Sequence, residues 1–399
     1  EILIGLVGSE MCIRDSVMAN HDNNNEIKEG FVDISSNKQV NKIYKKRGRA
    51  IRITSIVLSI LLLIGGSGLL YYYSVLNSLK FVDISDNNST KATSSTLPTS
   101  DGTFSKSQLS NDELLEDSKV LNVMLFGEDN AKGEKFGRSD SMIMLSIDNR
   151  HKKLKMTSFQ RDSYVYVDGY GYDKLTNAYA YGGPKLTIQT IESNFGVKVD
   201  RYAVVDYASF IDIIDVLGGI DLELTQDEID YINYQLYKNK QSDTRTTITD
   251  APGKVHLTGQ QALWYARNRG LDSSEEGIGI AGDDWDRTSR QRKLLETMFN
   301  DMKGADLTQI ISIVGKVGPL VTTNLKKDEI TALVSHSMTY LTYSVEQYTV
   351  PEEGQWYYMN DTPVGSVIAF SDLETQRKLF AEFIYEELIT GNTTSTSSN

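Results

Sequence analysis

From Ile53 to Val75 the chain reads ITSIVLSILLLIGGSGLLYYYSV, with no charged residue along its length. About 20 apolar residues in a helix that satisfies its own backbone hydrogen bonds suffice to cross a bilayer core, so this stretch predicts one transmembrane helix. Lys45, Lys46, Arg47, Arg49 and Arg52 stand directly before it, and Tyr71, Tyr72 and Tyr73 close it as an interfacial belt. A basic flank stays on the cytoplasmic side, which sends everything after Val75 outside the cell.

That segment divides the rest. Residues 18–52 read as a cytoplasmic tail and 76–115 as an extracellular stalk, the latter because NNSTKATSSTLPTSDGTFSKSQLSN is too polar to bury a core. Residues 116–390 read as one folded domain and 391–399 as a disordered tail. Residues 1–17 include VGSEMCIRDS, which resembles an adapter-derived translation artefact, so the expected start is Met18. The chain carries a net charge of -13, and beyond residue 52 it holds 32 Lys+Arg against 47 Asp+Glu. An acidic domain outside the membrane is poorly suited to nucleic acid. The lone Cys12 rules out an intrachain disulfide, and the scattered His21, His151, His256 and His336 argue against a zinc centre, which leaves a hard cation on oxygen ligands as the expected metal.

In the external domain, KVLNVMLFG (119–127), SMIMLSID (141–148) and KLKMTSFQ (153–160) read as strands separated by turn-rich segments. PKLTIQTIESNFG is a helix opened by proline, RYAVVD a short buried strand, YASFIDIIDVLGG a helix closed by glycine, and IDLEL another strand. GQQALWYA, RTSRQRKLLETMFNDM, LTQIISIVGKVG and KKDEITALVSHSMTYL are further helices, followed by the strand SVEQYTVP and a closing helix from Asp372 to about Glu387. Interleaved strands and helices predict an α/β fold, an α-β-α sandwich with a central mixed β-sheet.

The chemistry gathers at element ends. YARNRGLDSSEEGIGIAGDDWDRTSRQRK crowds Arg267, Arg269, Arg287, Arg290 and Arg292 into one segment of an acidic chain. Guanidinium forks in such number suit bidentate recognition of carboxylate or phosphate, and Arg287 and Arg290 lie one turn apart at the start of a helix. Asp129 follows the first strand and Asp140 precedes the second, so both leave the same sheet edge, where two carboxylates can hold Mg²⁺ or Mn²⁺. Arg138 stands two residues before Asp140, and Arg161 with Asp162 follows the third strand. Isolated Arg-Asp neighbours are commonly surface ion pairs; their convergence at three strand ends instead predicts a metal-assisted phosphoryl transfer site. No GxSxG elbow, P-loop or HExxH motif is present. Tyr170, Tyr172 and Tyr179 read as wall or core, and the apolar faces of LTIQTIESNFG and FIDIIDVLGG as core or as the lining of an apolar tunnel.

GEDN, GRSDSM, FQRDSYV, KLTNAYAYGG, VDYASFIDIIDVLGGIDLEL, LTGQQALWYARNR and DWDRTSRQRK occur in that order, and over residues 119–300 they resemble the LytR-CpsA-Psr family of bacterial envelope proteins. The resemblance implies a phosphotransferase of a Gram-positive wall. Such an enzyme moves an anionic glycopolymer (teichoic acid or capsular polysaccharide type) from a polyprenyl pyrophosphate carrier to peptidoglycan, onto the muramic acid C6 hydroxyl. It further implies that Asp129 and Asp140 bind Mg²⁺ and that Arg138, Arg161, Arg267, Arg269 and Arg287 clamp the pyrophosphate, supported by Arg290 and Gln291. Arg161, Asp162 and Arg287 are then the catalytic candidates, with Asp162 as base or as the group orienting the attacking hydroxyl. The position before Arg287, often glycine in the family, is Asp286 here. A polyprenyl-pyrophosphate hydrolase and a non-catalytic envelope regulator are the alternatives. The acidic insert LDSSEEGIGIAGDD reads as a loop at the mouth of the site.

Overall fold

The computed structural model describes residues 73–74, 76–77, 80–82, 114–129, 136–241, 246–271, 280 and 282–386. The chain divides into two compact units, residues 1–67 and 68–399, and every described residue belongs to the second. The expected cytoplasmic tail, the C-terminal tail and the transmembrane span, apart from Tyr73 and Ser74, lie outside the described residues. Among the described residues no helix is long and apolar enough to cross a membrane.

In chain order the elements are β1 (Lys80–Phe81), β2 (Val120–Asp129), β3 (Arg138–Asp148), β4 (Lys153–Phe159), β5 (Tyr164–Val167), β6 (Gly171–Lys174) and α1 (Leu175–Phe195). There follow β7 (Arg201–Asp206), α2 (Tyr207–Leu217), β8 (Ile220–Leu224), α3 (Gln226–Lys238), β9 (Gly253–Leu257), α4 (Gly259–Arg267) and α5 (Asp284–Asp301). The last are α6 (Leu307–Val317), β10 (Thr322–Thr323), α7 (Lys327–Tyr340), β11 (Ser344–Val350), β12 (Trp356–Met359), β13 (Val367–Phe370) and α8 (Leu373–Tyr385).

A seven-stranded sheet runs in the order β1-β10-β7-β2-β3-β4-β11. β2 pairs antiparallel with β3 and parallel with β7, so the sheet is mixed, as the alternation of strands and helices predicts. Its central strands are covered on both faces, which explains why they read as nearly unbroken apolar runs. Met124, Phe126, Met144 and Phe159 pack on one side with Ile191 and Phe195 of α1 and Phe380 of α8. Leu121, Val123, Ile147 and Leu154 pack on the other with Tyr340 of α7 and Tyr343. The strand IDLEL does not join this sheet: β8 pairs with β9 in a separate two-stranded antiparallel sheet that shares a core with α3 and α4.

Helix starts follow their capping chemistry. The Asp206 side chain accepts from the Ser209 amide at the start of α2, and Thr258 forms a capping box with Gln261 at the start of α4. Each such cap contributes about 1 kcal/mol. Helix α1 has helical turns before the predicted proline start, and it breaks at Gly183, whose positive φ of 63° and close approach to the Phe136 ring suit glycine alone.

Two ends of the expected stalk belong to the domain. Leu76 is buried against Ile310 and Val334, the Val82 amide donates to the Thr323 carbonyl at 2.9 Å, and the Leu115 amide donates to the Gly196 carbonyl at 2.8 Å. Leu76 is held there by burial, and Val82 and Leu115 by these backbone hydrogen bonds.

At the sheet end where β3 finishes and β4 begins, Lys155 is fully buried. Its ammonium donates to Asp148 Oδ2 at 2.8 Å and to the Ile384 carbonyl at 2.8 Å, and lies 2.9 Å from Glu386 Oε1. Asp148, His151 and Glu386 converge closely enough to suggest a metal site, yet the ammonium already supplies the cation there. Burial pushes the Asp148 carboxyl up, and the Lys155 and His151 hydrogen bonds overcome it to hold the group below its ordinary value. Removing one partner of such a buried pair costs about 3–5 kcal/mol. Lys155→Met should therefore lower the unfolding free energy in a urea titration by that amount, and a loss under 1 kcal/mol would show that the pair does not pin α8 to the sheet.

Candidate active site

At the opposite end of the same strands, β4 runs out at Phe159 and three elements fix the residues that follow. The Gln160 amide donates to Val350, the Thr176 amide at the start of α1 donates to the Arg161 carbonyl, and the Ile368 amide of β13 donates to the Asp162 carbonyl, each at 2.9 Å. From this anchored corner Arg161 reaches two carboxylates. Its Nη1 donates to Asp140 Oδ1 at 2.8 Å and its Nε to Asp284 Oδ2 at 2.9 Å.

Asp140 is presented by a β-bulge. Gly127 pairs with Ser141 and Glu128 with Ser139, so Asp140 is skipped in the β2–β3 register. The extra residue reverses the alternation beyond it. Ile143 and Ser141 line a cavity on one face, and past the bulge Asp140 and Arg138 line it too, while Ser139 is buried and donates to the Ser141 carbonyl. Without the bulge both charged side chains would fall on the other face of the sheet. Gly127 permits the close passage, since a Cβ there would sit 3.0 Å from Ser141 Cβ.

The remaining cations come from α4 and α5. Arg267, at the C-terminal end of α4 where a positive charge is favoured, lies with its guanidinium carbon 4.4 Å from the centre of the Tyr207 ring. Tyr207 donates in turn to Asp140 Oδ2 at 3.3 Å. The Asp283 carboxylate accepts from the Trp285 and Asp286 amides at the start of α5, and the Asp283 amide donates back to the Asp286 carboxylate, so Asp286 completes a capping box. This places Arg287 on the first turn. It is 4% exposed, its Nη2 donates to Asp284 Oδ2 at 3.1 Å, and its buried Nε has no acceptor among the described residues. Arg269 Nη1 lies 4.0 Å from the same Asp284 carboxylate.

Burial pushes the Asp140 carboxyl up, but the charges of Arg287 and Arg161 and the hydrogen bonds from Arg161 and Tyr207 hold it below its ordinary value, so it stays ionised at neutral pH. Burial likewise lowers the affinity of Arg287 for its proton, with Arg161 and Arg269 adding to the effect and Asp284 and Asp140 opposing it. More positive than negative charge is thus concentrated in a poorly solvated corner, which favours binding of an anion.

Asp129, Arg138, Asp140, Arg161, Arg267, Arg269, Arg287 and Gln291 all line one cavity of about 660 Å³. Further along the same strands and helices its lining is apolar, formed by Leu125 and Ile143 of the sheet, Phe210 and Ile213 of α2, Leu263 of α4 and Leu294 and Met298 of α5. Of the two apolar helix faces, FIDIIDVLGG contributes Phe210 and Ile213, whereas the LTIQTIESNFG half of α1 takes the core reading and lines none of it, because Ile188, Ile191 and Phe195 pack on the other sheet face. The expected place of Arg290 beside the clamp is corrected. Arg290 turns away from the cavity, donating to Glu228 Oε1 and to the Asn268 carbonyl at 2.9 Å each, and so buttresses the segment carrying Arg269. Asp162 lies beside rather than in the cavity, with Oδ1 3.1 Å from Lys174 Nζ. The sequence reading missed Asp284, Tyr207 and Lys174; only the Asp-x-x-Arg spacing of Asp284 and Arg287 hinted at one of them. Most of the acidic insert, residues 272–279 and 281, lies outside the described residues.

The fold and site define an α/β sandwich that holds a cationic clamp over an apolar cavity. Residues 77–374 match the LytR_cpsA_psr family model, and the chain belongs to that family. It is 29% identical over 258 residues to the polyisoprenyl-teichoic acid–peptidoglycan teichoic acid transferase TagU of Oceanobacillus iheyensis, covering 62% of this chain and 73% of the relative. With the transferase TagV of Bacillus subtilis it shares 32% identity over 234 residues, covering 57% of this chain and 56% of that one. The crystal structure of B. subtilis TagV superposes with a TM-score of 0.51 at 26% identity, over 67% of this chain and 98% of that chain. The structure of TagT bound to LI-WTA shares the fold, with a TM-score of 0.52 at 24% identity over 66% of this chain and 90% of that one.

Asp284 neutralises the same guanidinium groups that an incoming anion would need. Asp284→Asn should tighten binding of inorganic pyrophosphate about five- to ten-fold in a calorimetric titration, on the order of 1 kcal/mol. Weaker binding in the variant would mean that Asp284 serves to orient the arginines rather than to compete with the anion.

Proposed function

We propose that this chain is a membrane-anchored phosphotransferase that moves an anionic glycopolymer of teichoic acid or capsular type from a polyprenyl pyrophosphate carrier to peptidoglycan, acting on the outer side of the membrane. The observation that carries this reading is that Arg161, Arg269 and Arg287 line the same cavity as the apolar side chains Leu125, Ile143, Phe210, Ile213, Leu263 and Leu294. A donor with a doubly charged head and a hydrocarbon tail matches both parts at once. The named activities of TagU and TagV point the same way.

In this reading the pyrophosphate takes over the guanidinium contacts now made by Asp284, and Arg287 Nε gains an acceptor. The prenyl chain runs between Leu125 and Ile143 on one side and Phe210 and Ile213 on the other. An acceptor hydroxyl oxygen forms a bond to the glycan-bearing phosphorus, the bond from that phosphorus to the bridging oxygen breaks, and polyprenyl phosphate leaves. The hydroxyl proton passes to a base; the nearness of Asp162 to Arg161 and its backbone bond to β13 support it in that role. Fixed arginines aimed at the growing charge lower the barrier without reorganisation during the reaction.

Asp129 and Asp140 fit a hard divalent cation, because Mg²⁺ is commonly held by one or two carboxylates with substrate phosphates, and Asp140 is kept ionised. Bound there, Mg²⁺ would supply charge neutralisation on the phosphate oxygens. The full chain with Mg²⁺, a labelled polyprenyl-pyrophosphate glycan and peptidoglycan should place label on the peptidoglycan and release polyprenyl phosphate. Arg161→Ala or Arg287→Ala should reduce the rate about 10²- to 10³-fold. Label found only as free polymer would establish a hydrolase instead, and absence of any release would leave a non-catalytic role.

A further inference from the structure

The hairpin that follows Asp162 carries an aromatic face that neither the fold nor the clamp uses. In β5, Val165 and Val167 point inward, 1% and 0% exposed, within the core cluster that contains Leu175, Ala178 and Ile191 of α1. Strand alternation therefore turns Tyr164 and Tyr166 outward. Tyr166 pairs with Tyr172 of β6 and Tyr164 with Lys174, so all four share the outer face. The Tyr172 ring lies 5.5 Å from that of Tyr164 and 5.6 Å from that of Tyr166, forming one continuous row. Tyr166 and Tyr172 are 47% and 60% exposed. A contiguous exposed aromatic patch marks an interaction surface more often than a packing accident.

The row has a direction. Its inner end is Lys174, whose Nζ meets Asp162 Oδ1 at 3.1 Å, and Asp162 adjoins the Arg161 clamp. The apolar cavity lies on the α2 side of the sheet, whereas the hairpin packs on the α1 side. A donor filling the cavity thus leaves the hairpin side open to the second substrate. Near the tip, the Tyr170 and Tyr181 rings stack at 4.2 Å, and the Tyr181 hydroxyl donates to Asp173 Oδ2 at 2.7 Å, which ties the hairpin to α1 and presents the row rigidly.

Building on the transferase reading, we propose that the outer face of the β5–β6 hairpin, centred on Tyr166 and Tyr172, docks the acceptor as a chain of uncharged amino-sugar rings. Tyrosine offers a ring whose negative face suits the C–H face of a pyranose and a hydroxyl that bonds to sugar hydroxyl or amide groups. The ionisable groups of the hairpin other than tyrosine are Asp168, Asp173 and Lys174, so it lacks the basic excess that an anionic polymer or an anionic headgroup surface would require. The Asp162–Lys174 pair at the inner end places the docked chain beside the phosphorus held by the clamp.

The test uses the full chain in detergent micelles and in lipid nanodiscs, with a soluble hexamer of β-1,4-linked N-acetylglucosamine as probe. Hydroxyl-radical footprinting should show Tyr166 and Tyr172 protected by the hexamer in both settings and equally reactive in the two settings without it. Tyr166→Ser with Tyr172→Ser should raise the Kd for the hexamer at least ten-fold, while the double phenylalanine variant, which keeps the rings, should stay within about three-fold of the parent. No protection by the hexamer overturns the proposal. Protection by the bilayer alone also overturns it and reassigns the face to the membrane. Release of polyprenyl phosphate from the donor is measured separately, so a chain that binds the hexamer through these tyrosines but turns over no donor refutes the transferase reading and not the sugar platform.

Discussion

Arg161 joins parts of the chain that are otherwise far apart in sequence. One guanidinium meets Asp140 on the bulge of β3 and Asp284 on the first turn of α5, and its backbone carries the start of α1. The arginine is partly shielded from water; burial alone would lower its affinity for a proton, and the carboxylates of Asp284, Asp140 and Asp162 reverse that. Through Asp284 the same network extends to Arg287 and Arg269. The corner where the sheet, α1 and α5 meet is therefore held, beside its backbone hydrogen bonds, by charges that a phosphate can exchange with.

Around that corner the two faces of the sheet have different tasks. On the α1 and α8 side the core is filled, with Phe159, Phe195 and Phe380 in mutual ring contact. On the α2 side the helices stand off Leu125 and Ile143, which leaves room for a hydrocarbon chain. The end of the strands with Asp129 and Asp140 faces the clamp, and the other end is locked by Lys155 and Asp148. A locked end and an end open to the cavity follow from where the charges are compensated internally and where they line the cavity.

Much of this is legible in the sequence. The three apolar runs after residue 119 give β2, β3 and β4, and the Arg-Asp pairs at their ends converge because antiparallel neighbours bring those ends together. The bulge was not legible, since it arises from the β2–β3 register rather than from a residue type, and it decides that Asp140 and Arg138 face the cavity. Arg290 reads like Arg287 in sequence, yet a helical offset of three residues and the presence of Glu228 turn it to a structural contact. Tyr170, Tyr172 and Tyr179 read alike; the structure buries Tyr179 and exposes the other two, because the first lies on a helix facing the core and the others on a hairpin. The two-residue strands at residues 80–81 and 322–323 are too short to show a period.

The most direct measurement is a crystal structure with a polyprenyl pyrophosphate bound. Both phosphates should lie within hydrogen-bonding distance of Arg161 and Arg287, with the Asp284 carboxylate displaced from them and the prenyl chain between the sheet and Phe210 and Ile213 of α2. Phosphates seated away from these arginines, or a chain lying on the α1 side of the sheet, would contradict it.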